Sequence, residues 1–218
     1  MDFQNLKEKF MQNADAGVAG EMHQYMKNKF LFYGYHTPAR CKIYAENLKL
    51  EKKNKKIDWD LLNQAWNDPY REMQYFACDY LIALKKYLMF SDMDKIENFV
   101  RTKSWWDTID SLIKPVGYLG LHDERVNDLM LKWSQDDNIW IRRFAIEHQL
   151  LRKDQMNTAL LAKIIKNNLN SKEFFINKAI GWALRDYSKT NPHWVKSFIN
   201  EYSEQLTPLS IKESSKYL

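Results

Sequence analysis

Three groups of side chains have the types and spacing to do chemistry. In Thr102-Lys-Ser-Trp-Trp-Asp-Thr-Ile-Asp-Ser-Leu-Ile-Lys114, residues Trp106, Asp110 and Lys114 follow one another at i+4 steps, so a helix would align them. The same helix would turn Trp105, Ile109, Leu112 and Ile113 toward a core. An indole one turn from a carboxylate, off the core face, reads in two ways. It is a half-buried Trp beside a solvated Asp, or it is a binding or catalytic pair. Farther along, Lys178, Trp182 and Arg185 stand at i, i+4 and i+7. A Trp between two cations suits a sugar or base stacked beside phosphates; the alternative is that the two long stems simply cover the ring. Between these groups, Arg142 and Arg143 sit in an otherwise apolar stretch. Phosphate contact and a buried ion pair are both open to them.

Other chemistries find little support. His23, His36, His122, His148 and His193 are scattered, without His-Glu-x-x-His or an acidic cluster at metal-ligand spacing, so no metal is expected. There is no Gly-rich phosphate loop, no Gly-x-Ser-x-Gly and no Cys-x-x-Cys, and no cofactor is expected. Cys41 and Cys78 are the only cysteines, which favours a reducing, cytoplasmic setting. The first ten residues mix charge with apolar groups unlike a signal peptide, and no apolar run is long enough to span a bilayer. A net charge of +5 is compatible with a polyanionic partner without requiring one. Eight Trp residues imply a thick core or aromatic surfaces that contact something flat.

The elements that must position these groups are helices. Gly 6 and Pro 5 are too few for the many turns of an all-β chain of 218 residues, and no segment alternates convincingly like a strand. Helices are expected at Leu6–Met11 and Glu21–Phe32, separated by the small residues 14–20. Others are expected from Thr37-Pro38 to Leu50, from Asp58, from Asp68-Pro69 to about Met89, and from Ser91-Asp92 to Val100. The Thr102 helix should end at Pro115 and Gly117. It is followed by His122–Trp133, Ile139–Leu151 capped by Asp137-Asn138, Met156–Asn168, Lys172–Ser188 capped by Ser171, and helices from Asn191-Pro192 and Thr207-Pro208. Asp68, Thr102, Asp136 and Asn170 are evenly spaced (102−68, 136−102 and 170−136 are all 34), and nine residues after each comes Ala77, Ser111, Ala145 or Ala179. A cap plus a small residue recurring at this period marks stacked helix pairs, and the Trp-Leu-Gly-Tyr pattern of the commonest repeat of this length is absent. On this grid the counterparts of Asp110 are Phe76, Phe144 and Lys178, so the carboxylate lies outside the packing rule of the repeat. The expected fold is all-α: a right-handed superhelical solenoid of HEAT-like repeats with a concave face, formed by residues 1–218 as a single domain.

Several long segments resemble the bacterial alkylpurine DNA glycosylases of the AlkD type. They are Tyr25-Met-Lys-Asn-Lys-Phe-Leu-Phe32, Thr102 to Asp110, Asp137-Asn-Ile-Trp-Ile-Arg-Arg143 and Ser171 to Arg185, so that the likeness covers nearly the whole chain. The resemblance implies HEAT-like repeats around duplex DNA and removal of N3- and N7-alkylated purines. It implies that Trp106, Asp110 and Trp182 form the catalytic cleft, that Arg143 contacts the DNA backbone and that Tyr25 lies close to the lesion. Arg142, Lys178, Arg185 and Lys103 complete the expected DNA-binding set. The implied chemistry is hydrolysis of an N-glycosidic bond without a base-flipping pocket. Asp110 would stabilise the oxocarbenium-like sugar or orient water, in a monomer that needs neither cofactor nor membrane. Two other uses of such a scaffold are binding DNA structures without excision and binding proteins.

Overall fold

A computed structural model describes every residue from Met1 to Leu218. It contains thirteen α-helices, four short 3-10 helices and an isolated bridge between Leu31 and Tyr70. Helices α1 (Phe3–Gln12), α2 (Ala16–Tyr25), α3 (Thr37–Asn54), α4 (Trp59–Asn67) and α5 (Arg71–Ala83) belong to a compact unit, Met1–Leu88. A second unit, Met89–Leu218, holds the rest: α6 (Met93–Arg101), α7 (Trp106–Leu119), α8 (Arg125–Trp133), α9 (Ile139–Glu147), α10 (Thr158–Lys166), α11 (Phe174–Ser188), α12 (Pro192–Glu201) and α13 (Pro208–Ser214). No helix is long and apolar enough to cross a membrane.

Cap chemistry explains most helix starts. The side chains of Asp58, Asn138, Asn157, Asn191 and Thr207 each accept a backbone N–H from the first turn of α4, α9, α10, α12 and α13, worth about 1 kcal/mol apiece. Several expectations fail for local reasons; Ser171, for one, does not cap α11, where Glu173 holds the N-cap place. Residues 14–20 are not a spacer, because Asp15 accepts from the N–H groups of Gly17 and Val18 and so starts α2, which ends at Tyr25. Thr37 is not the cap of α3; His36 holds that place and Pro38 falls within the first turn. Thr102 does not open α7 but closes α6 with extended backbone, so Trp105 lies just ahead of α7 and only half-buried. Pro115 does not end α7, which continues through it to Leu119. The apolar face formed by Ile109, Leu112, Ile113 and Val116, all buried, carries the helix across the missing N–H.

In the second unit α7 packs on α9, α9 on α11 and α11 on α13, while α6 flanks α7 and α8 flanks α9. The first residues of α5, α7, α9 and α11 (Arg71, Trp106, Ile139 and Phe174) keep the repeat to within a residue, but not on a rigid grid. Counted from these observed starts, Asp110 corresponds to Tyr75, Arg143 and Lys178 rather than to the buried Phe76 and Phe144. One helical position is therefore polar in repeat after repeat. Bonds between groups about a repeat apart tie neighbouring copies together: Arg101 to Asp136, Arg152 to the Gly117 carbonyl, the Leu151 N–H to Asp186, and Asn168 to the Ser134 carbonyl.

The α11–α13 crossing depends on Gly181, where a Cβ would fall 2.5 Å from Glu213 Cβ and 3.2 Å from the Ser210 carbonyl oxygen. Ala is the better helix former by about 1 kcal/mol, yet overpacking such a contact costs about 1–3 kcal/mol. Gly181→Ala is expected to lower the melting temperature. A variant as stable as the wild type would show that α13 gives way at no cost.

Candidate catalytic and nucleic-acid site

The polar position of the repeat brings Asp110 of α7 to Arg143 of α9. Arg143 Nε lies 3.0 Å from Asp110 Oδ1, and its Nη2 lies 2.8 Å from Oδ1 and 3.0 Å from Oδ2, a forked pair. Nη1 donates to the Phe175 carbonyl of α11 at 2.9 Å, so three successive repeats meet at one guanidinium. The Arg143 side chain is only 1% exposed, whereas Asp110 keeps 23% of its side chain in contact with solvent. Of the two options open to this arginine, the structure realises the buried ion pair. Arg142 beside it is half-buried and is the more accessible of the two. Asp110 is not a solvated carboxylate but a part-exposed one with a fixed orientation.

The guanidinium is shared. Glu147, one turn after Arg143 on α9, has a fully buried side chain 2.9 Å from Nη2. Burial pushes the Glu147 carboxyl well above the usual range, against the pull of Arg143 and with the Asp110 charge adding to the rise. Burial likewise raises Asp110, while Arg143 and a hydrogen bond from Glu147 hold it down. One cation thus serves two carboxylates, and the inner one gives up its charge first.

Trp182 of α11 also meets Arg143, whose Cζ is 5.3 Å from the indole centroid. Lys178 Nζ and Arg185 Cζ are each 5.7 Å from the same ring, so the stripe expected on α11 forms. Both cations are engaged by α13: Lys178 with Glu213 Oε1 at 2.9 Å and Arg185 with Oε2 at 2.7 Å, and Lys216 joins at 3.1 Å. Led by the hydrogen bond from Lys178, that lysine and Lys216 hold the Glu213 carboxyl at about 2. Three cations around one carboxylate leave positive charge in excess. Trp106 opens α7 one turn before Asp110 and is half-buried.

At the N-terminal ends of these helices lies an aromatic group: Trp105 is 5.5 Å from Trp140 and 5.2 Å from Phe175, and Trp140 is 4.8 Å from Phe175. It packs beside the Arg143 anchor at Phe175 and accounts for Trp105 outside the core. Lys103 is not on a helix but in the loop between α6 and α7, in left-handed backbone at φ 49°. Tyr25 is the last residue of α2, in the first unit, and is 69% exposed. No group of three or more His, Cys, Asp or Glu side chains gathers as metal ligands would.

Glu147 and Glu213 were missed from the sequence. Glu147 carried a signal, since it follows Arg143 by four residues on a helix. Glu213 follows Lys178 by about one repeat, a relation that becomes visible only once the stacking of α11 on α13 is known.

Comparison with known proteins gives these elements a context. A family described as DNA alkylation repair enzyme matches residues 6–218. A solved structure described as a predicted DNA alkylation repair enzyme from Enterococcus faecalis is 33% identical with a TM-score of 0.85, covering 95% of this chain and 98% of that one. AlkD2 from Streptococcus mutans is similar in fold at 18% identity and a TM-score of 0.61, covering 99% and 97% of the two chains. The alkylpurine DNA glycosylase AlkC of Pseudomonas fluorescens, bound to DNA containing an abasic site analogue, is 17% identical with a TM-score of 0.50, covering 98% of this chain and 62% of that one. A comparison with curated sequences gave no match. The chain, matched over nearly its whole length, belongs to the DNA alkylation repair enzyme family.

Proposed function

We propose that the protein excises cationic N3- and N7-alkylated purines from duplex DNA by hydrolysing the N-glycosidic bond. The observation that carries this reading is the Asp110 carboxylate, part-exposed and held by Arg143, whose guanidinium also lies over the Trp182 ring. Alkylation makes the purine a positively charged leaving group. As the C1′–N bond breaks, its electron pair leaves with the base, which becomes neutral, and positive charge passes to the sugar. A carboxylate with fixed orientation is most effective where such charge develops. Water then attacks C1′ and loses a proton to Asp110, from which it passes to solvent. The faces of Trp106 and Trp182 can hold the cationic sugar or base at about 0.5–2 kcal/mol each. Because the substrate arrives activated, no strong acid is needed to protonate the base.

The DNA backbone is assigned to the accessible cations: Arg142, Lys103, and the surplus charge of Lys178 and Arg185 about Glu213. The buried Arg143 then contributes by orienting Asp110, and an exposed Tyr25 remains a candidate DNA contact in its own unit. The working setting is the cytoplasm, and the partner is duplex DNA met by a monomer.

Selectivity tests the reading. The protein should release methylated purines from methylated duplex DNA and leave uracil untouched, since it would select cationic charge over base shape. Affinity for the duplex should fall steeply as salt rises, by about 0.9 in log–log slope per phosphate contacted. Uracil released at a comparable rate would refute the mechanism. Salt-insensitive binding without release would favour a protein-binding scaffold.

A further inference from the structure

The hydrogen bonds of Arg143 go to Asp110 and to α11. Nε and Nη2 bond Asp110 and Nη1 bonds the Phe175 carbonyl. Glu147 lies at ion-pair distance from Nη2, but neither of its oxygens accepts an aligned hydrogen bond from any group. Its side chain is 0% exposed, out of contact with bulk solvent. A carboxylate left in that state would carry a heavy desolvation penalty. A carboxylic acid has another option, because it can donate. The nearby acceptor is the Asp110 carboxylate, held by the same Arg143 Nη2 that Glu147 approaches. Two carboxyl groups can share a hydrogen bond only when a proton lies between them.

The surroundings offer no second cation. On α7 the facing charges are Asp110 and, beyond it, Asp107. On α9 Arg143 is the sole partner, and α11 presents a carbonyl, with Lys178 and Arg185 turned to Glu213. Arg101 of α6 pairs with Glu97 and Asp136, and the charged side chains of α8 and α10 are exposed.

We propose that Glu147 is a positioning residue, a buried neutral acid that donates its proton to Asp110 and, together with Arg143, keeps the outer carboxylate ionised with its free lone pairs turned to solvent. The inner carboxyl takes the proton because it is the one withdrawn from solvent. Asp110 then faces a developing sugar cation as an anion of fixed orientation. This role rests on the assignment of Asp110 to the reaction, whereas the buried proton does not.

Two measurements separate these claims. The infrared spectrum of the wild-type protein at neutral pH should contain the carbonyl stretch of a protonated carboxylic acid, shifted in heavy water and absent from Glu147→Gln. Its absence from the wild type overturns the proposal whatever the activity. In single-turnover excision of methylated purine, Glu147→Gln, which keeps a neutral donor, should stay within about threefold of wild type. Glu147→Leu should lose about 10- to 100-fold, the value of a hydrogen bond to a charged group, with DNA affinity unchanged. Its acid limb should move to higher pH, because Asp110 loses the donor that favours its charged form. A Gln variant as damaged as the Leu variant, or a Leu variant equal to wild type, overturns the positioning role. An acid seen in the infrared of a wild type that excises nothing removes the reading of Asp110, and the positioning role with it.

Discussion

Asp110→Asn is expected to lower the rate of methylated-purine release by about 10²–10³-fold, the scale seen when one preorganised electrostatic stabiliser is removed. The substitution keeps the shape of the side chain and removes its charge, so the sugar cation loses its counter-charge in a part-buried setting where that charge is least screened. The fold should survive. Arg143 retains its bond to the Phe175 carbonyl, and Glu147 at 2.9 Å can ionise to take over the charge of Asp110. The check is single-turnover release from methylated duplex DNA, with DNA affinity measured alongside. Loss of rate at unchanged affinity marks an interaction made in the transition state. Equal release by the two proteins would remove Asp110 from the chemistry. The acid limb of the wild-type rate should lie above the ordinary carboxylate range, since burial raises Asp110.

Arg143→Leu should be the most destabilising single change in this region, costing about 3–5 kcal/mol, as removing one partner of a buried ion pair does. That is a large part of the about 5–15 kcal/mol that holds a domain folded. The loss has a definite pH dependence. Without the guanidinium, Asp110 and Glu147 are pushed further up from values that burial already raises. A carboxylate whose folded pKa exceeds its unfolded one, about 4, loses stability as pH rises through the folded pKa and is unpenalised below the unfolded one. The gap in urea midpoint between variant and wild type should therefore be small near about pH 4 and wide near about pH 8. A gap independent of pH would show that the arginine acts through packing alone. Excision should fall as well, because Asp110 loses its clamp.

These two residues show how far the linear chain can be read. Asn138, Asn157, Asn191 and Thr207 stand directly ahead of their helices, and the apolar groups of α7, α9 and α11 recur at helical spacing, so an all-α chain of repeats is legible in the sequence. Caps and periodicity act over three or four residues, which is the range that sequence patterns encode most directly. The i+4 placement of Trp106 and Asp110 on α7, and the Lys178–Trp182–Arg185 stripe of α11, are legible for the same reason.

The extent of each helix was less so. Pro115 sits inside α7 and Trp105 outside it, because packing against α9 and the contacts with Trp140 and Phe175 outweigh local preference. What surrounds Asp110 was decided by tertiary structure alone. Its partner Arg143 comes from the next repeat, the carbonyl that anchors Arg143 from the one after that, and the acid behind it is identified as neutral only by its burial. Types and local spacing nominate a carboxylate. Its charge, orientation and exposure are set by desolvation and by neighbours that the stacking of repeats brings together, and no local pattern carries that information.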